Sequence, residues 1–220
     1  MLTLEAKMDK IFCIDNFFDK DGLRDIELQI STAGKEEDFI ATSGPFPGKL
    51  ISKFVDLKTS ENIKWFEDRL QPTVEQKLYI NSLSLAKLYY PWDVHTDFYR
   101  NHCTSADREP YYNFLIPLAD CQSRTIIFDQ WSTDSPNFSD YKNTHSKLET
   151  CVDQQFWQEN LSMCWPEDRH YLNIKSDLPW QRRGQLIGFP SCYFHSSDSF
   201  HLRLAEPKVF VHIRTESDIQ

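Results

Sequence analysis

The chain has 220 residues, of which 40% are hydrophobic and 26% are charged, and this is the composition of an ordinary soluble globular protein. The formal net charge of -9 argues against binding to nucleic acid or anionic lipid, because those partners need clustered Lys and Arg. No apolar run approaches membrane-spanning length, and the N-terminal MLTLEAKMDK lacks the apolar segment of a signal peptide. We therefore expect a cytoplasmic protein that binds neither nucleic acid nor membrane.

The first third of the chain predicts one short strand and two helices. The segment IFCID (11–15) is typical of a strand, and residues 19–31 predict a helix with acidic residues near its start. The Pro- and Gly-rich segment 44–48 predicts a loop. A second helix follows, with Ser60 as its N-cap and apolar residues at helical spacing, and Pro72 stops it.

The rest of the chain predicts strands, because short segments rich in β-branched and aromatic residues alternate with turn residues. These segments are 78–90, 111–118, 125–130, 185–190 and 208–215. Helices that precede a set of strands favour an α+β, mainly β fold, in which helices cover one face of a largely antiparallel sheet system.

The chain contains no internal repeat and no Gly/Ser-rich linker, so we predict one domain over 1–220 with its β core at about 78–216. Residues 131–180 are polar and lack periodicity. Long irregular segments of this kind are often functional lids, and we predict an irregular insert here.

Two histidines and one carboxylate follow predicted strands. His95 and Asp97 come directly after the first long strand, and His195 comes shortly after a strand that ends in Phe189-Pro190-Ser191. Alternate residues of an extended chain point to the same side, so His95 and Asp97 can share one metal ion. Two imidazoles and a carboxylate on one face of an octahedron leave open the positions that Fe(II) uses in non-haem oxygenases.

The order of these motifs resembles the Fe(II)/2-oxoglutarate-dependent oxygenase superfamily over roughly 83–215, and in particular its phage-type and marine microbial members. LAKLYYPWDVHTDF is similar to the strand that carries the first metal ligands, YYNFLIPLADCQSRTIIFDQ to the next two strands, and GQLIGFPSCYFHSSDSF to the strand and turn that carry the distal histidine. The resemblance implies a double-stranded β-helix, or jelly roll, with N-terminal covering helices. It implies Fe(II) bound by His95, Asp97 and His195, with 2-oxoglutarate as cosubstrate.

The residue that anchors 2-oxoglutarate departs from the family pattern, in which an Arg usually follows the second histidine at the start of the last strand. Here Arg203 comes early, Lys208 begins the predicted last strand, and Arg214 ends it. We favour Lys208, with Arg203 and Arg214 as alternatives.

Strand alternation places Lys208, His212 and Arg214 on one face of this strand and its valines on the other. If the valines meet the covering helices, the polar side chains point into the barrel. The opposite orientation, with the valines inside and the polar face in solvent, stays open.

Four further residues are candidates for the cosubstrate pocket: Thr125, Tyr89, Tyr112 and Asn113. Thr125 can donate a hydroxyl to the distal carboxylate, and the other three are candidate hydrogen-bond donors around it. His201 is the alternative to His195 as third ligand, but the Phe-Pro-Ser turn favours His195.

The predicted function is therefore a 2-oxoglutarate-dependent non-haem iron dioxygenase of the hydroxylase type. Its substrate is a small molecule or a peptidyl side chain, and it releases succinate and CO2. Two alternatives remain: a jelly-roll module that binds metal without catalysis, and a cupin-like iron enzyme that does not use 2-oxoglutarate.

Overall fold

The structure is a computed structural model that describes residues 10–33, 40–43, 50–204 and 206–219. Within these ranges the strands are β1 Phe12–Ile14, β2 Ile40–Ser43, β3 Leu50–Asp56, β4 Tyr79–Leu88, β5 Arg108–Pro117, β6 Ser123–Trp131, β7 Ile174–Trp180, β8 Leu186–Pro190, β9 Tyr193–Ser197 and β10 Lys208–Asp218. The α-helices are α1 Lys20–Ala33, α2 Ser60–Leu70, α3 Phe138–Thr144 and α4 Gln154–Asn160. None of the helices in these ranges is long and apolar enough to cross a membrane.

The strands form two antiparallel sheets. The larger has the order β1-β8-β5-β10-β4-β3-β2, and the smaller has the order β7-β6-β9. Side chains from both sheets share one buried cluster, in which Phe210 and Leu115 of the larger sheet join Ile127 and Trp180 of the smaller. The two sheets therefore enclose a common interior, as in a jelly roll.

The other face of the larger sheet packs against helices. Val211 and Ile213 of β10 belong to the same buried cluster as Ile26 of α1 and Phe66 of α2. This is the orientation in which the aliphatic face of the last strand meets the helices. It leaves the alternate residues of β10 pointing between the two sheets.

The start of α2 corrects the sequence prediction by one residue. Thr59, rather than Ser60, is the N-cap: it is extended, with φ -110, and its side-chain oxygen accepts a hydrogen bond from Asn62 N. Both residues carry a hydroxyl, so the sequence does not distinguish them, and the choice depends on where the backbone becomes helical.

The predicted irregular insert at 131–180 is wrong in detail, because this segment contains α3, α4 and the paired strand β7. Several of its apolar residues are buried, and Phe138, Trp157 and Leu172 pack with Phe128 of β6 and Phe194 of β9. Helices of seven residues are too short to show a periodicity in sequence. The strands β2, β3 and β9 are also absent from the sequence prediction, and the predicted loop 44–48 lies outside the described residues.

Gly184 stands at a position where only glycine fits without strain. Its φ is +78, and a Cβ there would lie 2.6 Å from the carbonyl oxygen of Phe18. We expect Gly184→Ala to lower the free energy of unfolding by about 1–3 kcal/mol, measured by urea denaturation. The matched control is Gly22→Ala, at a helical position whose nearest neighbour is 3.3 Å away, where we expect a change of less than about 1 kcal/mol. Equal effects of the two substitutions would contradict the strain argument.

Candidate metal centre

The three predicted metal ligands converge at the interior between the sheets. His95 and Asp97 follow β4, whereas His195 lies within β9, where it pairs with Ile127 of β6. His195 is thus a strand residue, and its predicted place in a turn after a strand is corrected. The backbones of the two histidines bond to each other, with N···O distances of 3.2 and 2.9 Å. The ligand atoms of His95, Asp97 and His195 lie within 4.8 Å of one another.

Backbone carbonyl groups orient both imidazole rings. The Nδ1 atom of His95 lies 2.6 Å from the carbonyl oxygen of Asp93, and that of His195 lies 3.1 Å from the carbonyl oxygen of Tyr193. A carbonyl oxygen only accepts, so each Nδ1 carries the proton and each Nε2 keeps its lone pair for a metal. Such hydrogen bonds behind the ligands are the usual way in which metal-binding histidines are held.

The protonation states of the site suit a divalent cation. Burial, reinforced by repulsion from His195, lowers the pKa of His95 to about 4, so its ring is neutral at neutral pH. Burial alone would raise the pKa of Asp97, but its contacts with His195 and the other surrounding imidazoles hold it well below its usual range. A neutral imidazole and an ionised carboxylate are the forms that bind metal.

Two side chains of β10 approach the same carboxylate. His212 Nε2 lies 3.7 Å from Asp97 Oδ2, and Arg214 Nη1 lies 4.0 Å from Asp97 Oδ1. Strand alternation places both residues on the same face of β10, but it leaves open whether that face points into the barrel and gives no role to His212. Its nearness to Asp97 depends on the docking of the loop after β4 against β10, and no sequence pattern indicates that contact.

The site opens into a cavity of about 930 Å³ that both sheets line. On the larger sheet the side chains form rows across neighbouring strands: Ser82, Arg214 and Asn113 form one row, and Ser84, His212 and Leu115 form the next. Further along β10, Phe210 also lines the cavity, and Lys208 lies beyond it. The metal ligands therefore lie at the level of His212 and Arg214, and Lys208 lies at the inner end.

The inner end of the cavity combines a buried cation with two hydroxyl groups. Lys208 is 1% exposed, and its ammonium lies 3.5 Å from the centroid of the Trp180 ring and 3.2 Å from Ser197 Oγ. Thr125 Oγ1 accepts a hydrogen bond from Trp180 Nε1 at 2.9 Å. Thr125, Trp180 and Ser197 all line the cavity, whereas Lys208 reaches it through Ser197. Burial lowers the pKa of Lys208 to about 7.

The other candidate residues lie elsewhere. Arg203 follows a 3-10 turn, forms an ion pair with Asp198, and lines a separate surface pocket. Tyr112 faces the helix side of the larger sheet, where its hydroxyl donates to the carbonyl oxygen of Lys10. Tyr89 does not line the cavity. Asn113 is buried beside Arg214, and its amide makes no hydrogen bond to the described residues.

Two antiparallel sheets around a cavity define a jelly-roll fold, and its His-x-Asp pair and distant His form a two-histidine, one-carboxylate cluster that could hold a metal ion. No protein-family model matches the sequence, and no curated protein matches it.

Solved structures share the fold. The non-haem α-ketoglutarate-dependent carbocyclase SnoK from nogalamycin biosynthesis matches with a TM-score of 0.58 and 12% identity, covering 96% of this chain and 81% of that one. The epimerase SnoN, in complex with Fe3+, α-ketoglutarate and nogalamycin RO, gives 0.56 and 12% over 98% and 82% of the two chains. HygX from Streptomyces hygroscopicus, with nickel and 2-oxoglutarate bound, gives 0.53 and 13% over 99% and 88%. At identities this low, the TM-scores show a common fold and no more.

Proposed function

We propose that this protein is an Fe(II)- and 2-oxoglutarate-dependent oxidoreductase. The observation that carries the proposal is the convergence of His95, Asp97 and His195 on a cavity whose lining residue Ser197 contacts the buried ammonium of Lys208. In this proposal the two sheets form a double-stranded β-helix that α1 and α2 cover. The similar folds of SnoN, SnoK and HygX, whose structures or descriptions include α-ketoglutarate or 2-oxoglutarate, support it.

The donor set favours Fe(II) over the commoner structural metals. Two imidazole nitrogens and one carboxylate would hold the ion, and these residues line a cavity that would leave further positions accessible. Structural zinc sites are closed by a fourth protein ligand, whereas non-haem iron oxygenases use this three-residue set with open positions. His212 lies outside the set, although its Nε2 atom is only 3.7 Å from Asp97 Oδ2.

The inner end suits the distal carboxylate of 2-oxoglutarate. Among the described residues, no carboxylate lies within 4.0 Å of Lys208 Nζ, although burial of an unpaired charge is costly. A carboxylate beside Lys208 would restore its charge and accept hydrogen bonds from the hydroxyls of Thr125 and Ser197. We therefore assign the binding of the 2-oxoglutarate carboxylate to Lys208 and not to Arg203, whose guanidinium forms an ion pair with Asp198.

When bound, the iron and 2-oxoglutarate would supply the oxidising chemistry, in which O2 and 2-oxoglutarate are consumed, succinate and CO2 are released, and a substrate C–H bond is oxidised. The protein residues would bind, orient and shield these groups. Phe138 and Trp165, which both belong to the segment 131–180, line the cavity. This segment would limit the access of water to the site. Hydroxylation is the proposed outcome, although SnoN and SnoK are an epimerase and a carbocyclase.

The proposal is tested by adding Fe(II) and 2-oxoglutarate to the purified protein without oxygen. We expect a weak visible absorption band from the chelate, and then succinate formation when O2 is admitted. Omission of iron, or replacement of 2-oxoglutarate by glutarate, provides the control. A band without succinate would favour a metal-binding module, and iron binding without a 2-oxoglutarate-dependent band would favour a cupin-like enzyme. Either result would overturn the proposal.

A further inference from the structure

A second cation faces the cavity at the level of the metal ligands. Arg214 lies on the same face of β10 as Lys208 and His212, and its side chain is 28% exposed. Its contacts are long: Nη2 lies 3.5 Å from Ser82 Oγ, and Nη1 lies 4.0 Å from Asp97 Oδ1. Charge-assisted hydrogen bonds are usually about 2.7–2.9 Å long, so the guanidinium retains the capacity to bind an anion.

The surroundings of Arg214 contain further unused polar groups. Asn113 pairs with it across β5 and β10, and neither the amide of Asn113 nor Nε of Arg214 makes a hydrogen bond to the described residues. At the rim, the ammonium of Lys58 donates to the carbonyl oxygen of Asn81. By contrast Lys142, the other lysine that lines the cavity, is ion-paired with Asp168. The polar and cationic side of the cavity is thus the side formed by β4 and β10.

Several carboxylates also line the cavity, and they do not cancel Arg214. Asp168 is paired with Lys142, and Asp93 lies near the same lysine. Asp97 is 4.0 Å from Arg214, but in the proposed function its charge is committed to the metal. Asp56 is exposed at the rim.

Aromatic side chains from outside β4 and β10 also line the cavity. They are Trp92, Phe138 and Trp165, and Trp165 is 56% exposed although it is a large apolar side chain. Aromatic side chains beside a few convergent polar groups favour ligands with an apolar body.

We propose that Arg214, assisted by Ser82 and Lys58, binds the anionic group of the substrate, which is an organic carboxylate or phosphate with an apolar body. The inference rests on the proposed function, because it assigns Lys208 to 2-oxoglutarate and leaves Arg214 for the substrate. The guanidinium can form two parallel hydrogen bonds with either anion, whereas a neutral analogue leaves it unpaired. Discrimination against neutral molecules follows.

The test is calorimetric titration of the protein loaded with Ni(II) and 2-oxoglutarate, in which no turnover occurs. The probes are 3-phenylpropionate and phenyl phosphate, with 3-phenylpropan-1-ol as the neutral control. We expect at least one anion to bind more tightly than the alcohol, and the stronger anion identifies the head group. Arg214→Gln should weaken binding of the anion by about 10-fold or more, since hydrogen bonds to charged groups carry most of the selectivity, and Arg214→Lys should fall between.

Two controls separate this inference from the proposed function. Lys64→Gln removes an exposed charge on α2 and should leave anion binding unchanged, and circular dichroism checks that each variant is folded. Binding of 2-oxoglutarate is titrated first, and its absence in the wild type would refute the proposed function while the probes are still titrated into the metal-free protein. The inference is overturned if neither anion binds at millimolar concentrations, if the alcohol binds as well, or if Arg214→Gln binds the anions normally. Loss of 2-oxoglutarate binding in Arg214→Gln but not in Lys208→Met would also overturn it.

Discussion

Replacing His195 by alanine should reduce iron bound after dialysis from stoichiometric to near zero and abolish the 2-oxoglutarate-dependent absorption band. The reason is that His195, on β9, supplies one of the three ligand atoms of the cluster, which would keep only those of His95 and Asp97. We expect metal affinity to fall by more than about 100-fold, because changes outside the ligand set already cost about 10- to 100-fold. His95→Ala should behave in the same way, and iron is measured by metal analysis of the dialysed protein.

The matched control for this prediction is His201→Ala. His201 lies on the 3-10 turn Phe200–Leu202, where its ring contacts Tyr90, and it is not part of the cluster that could hold a metal. Iron content should therefore stay at the wild-type level. Full iron content in His195→Ala, or its loss only in His201→Ala, would refute the ligand assignment.

Replacing Lys208 by methionine should weaken 2-oxoglutarate binding by roughly 100-fold or more, since removing one partner of a buried ion pair costs about 3–5 kcal/mol. Iron binding should persist, because Lys208 contacts Ser197 and the Trp180 ring rather than a metal ligand. The measurement is anaerobic titration of the Fe(II) protein with 2-oxoglutarate, followed by the visible band. Unchanged affinity in Lys208→Met would remove Lys208 from the cosubstrate site.

The same lysine should make both cosubstrate affinity and stability depend on pH. In the folded protein the pKa of Lys208 is lowered from 10.5 to about 7 by burial, so between these values the unfolded chain holds a proton that the folded chain lacks. The free energy of unfolding should therefore rise with pH across this window and be flat below it. Affinity for 2-oxoglutarate should fall as the pH rises above about 7, because the neutral amine must take up a proton to pair with the carboxylate.

The effect on stability is measured from denaturation midpoints of the metal-free protein. A range of about pH 6.5 to 9.5 spans most of the interval between the folded and unfolded pKa of Lys208. Lys208→Met should flatten this dependence and be more stable than the wild type at neutral pH, since methionine fills the site without a charge. An identical pH slope in wild type and Lys208→Met would show that another group is responsible.

The sequence by itself was sufficient to name His95, Asp97 and His195 as candidate metal ligands and to predict the strand β4 that precedes the first two. His95 and Asp97 are two residues apart after a recognisable strand. This spacing predicts that both side chains point to the same side, because side chains alternate along an extended chain. Alternation likewise predicted that the valines and the polar residues of β10 lie on opposite faces of the strand, but it left open which face meets the helices. These features are local or periodic, so each can be recognised within a single short segment of the sequence.

Only the tertiary structure separated the three basic candidates. Arg203 is held outside by the buried carboxylate of Asp198, Lys208 is enclosed at the inner end against Trp180, and Arg214 comes to the level of Asp97. Each of these positions depends on a residue that is remote in sequence or on a turn whose path is set by packing. The same holds for the segment 131–180, whose short helices and strand are stabilised by burial against β6 and β9 rather than by a periodicity of their own.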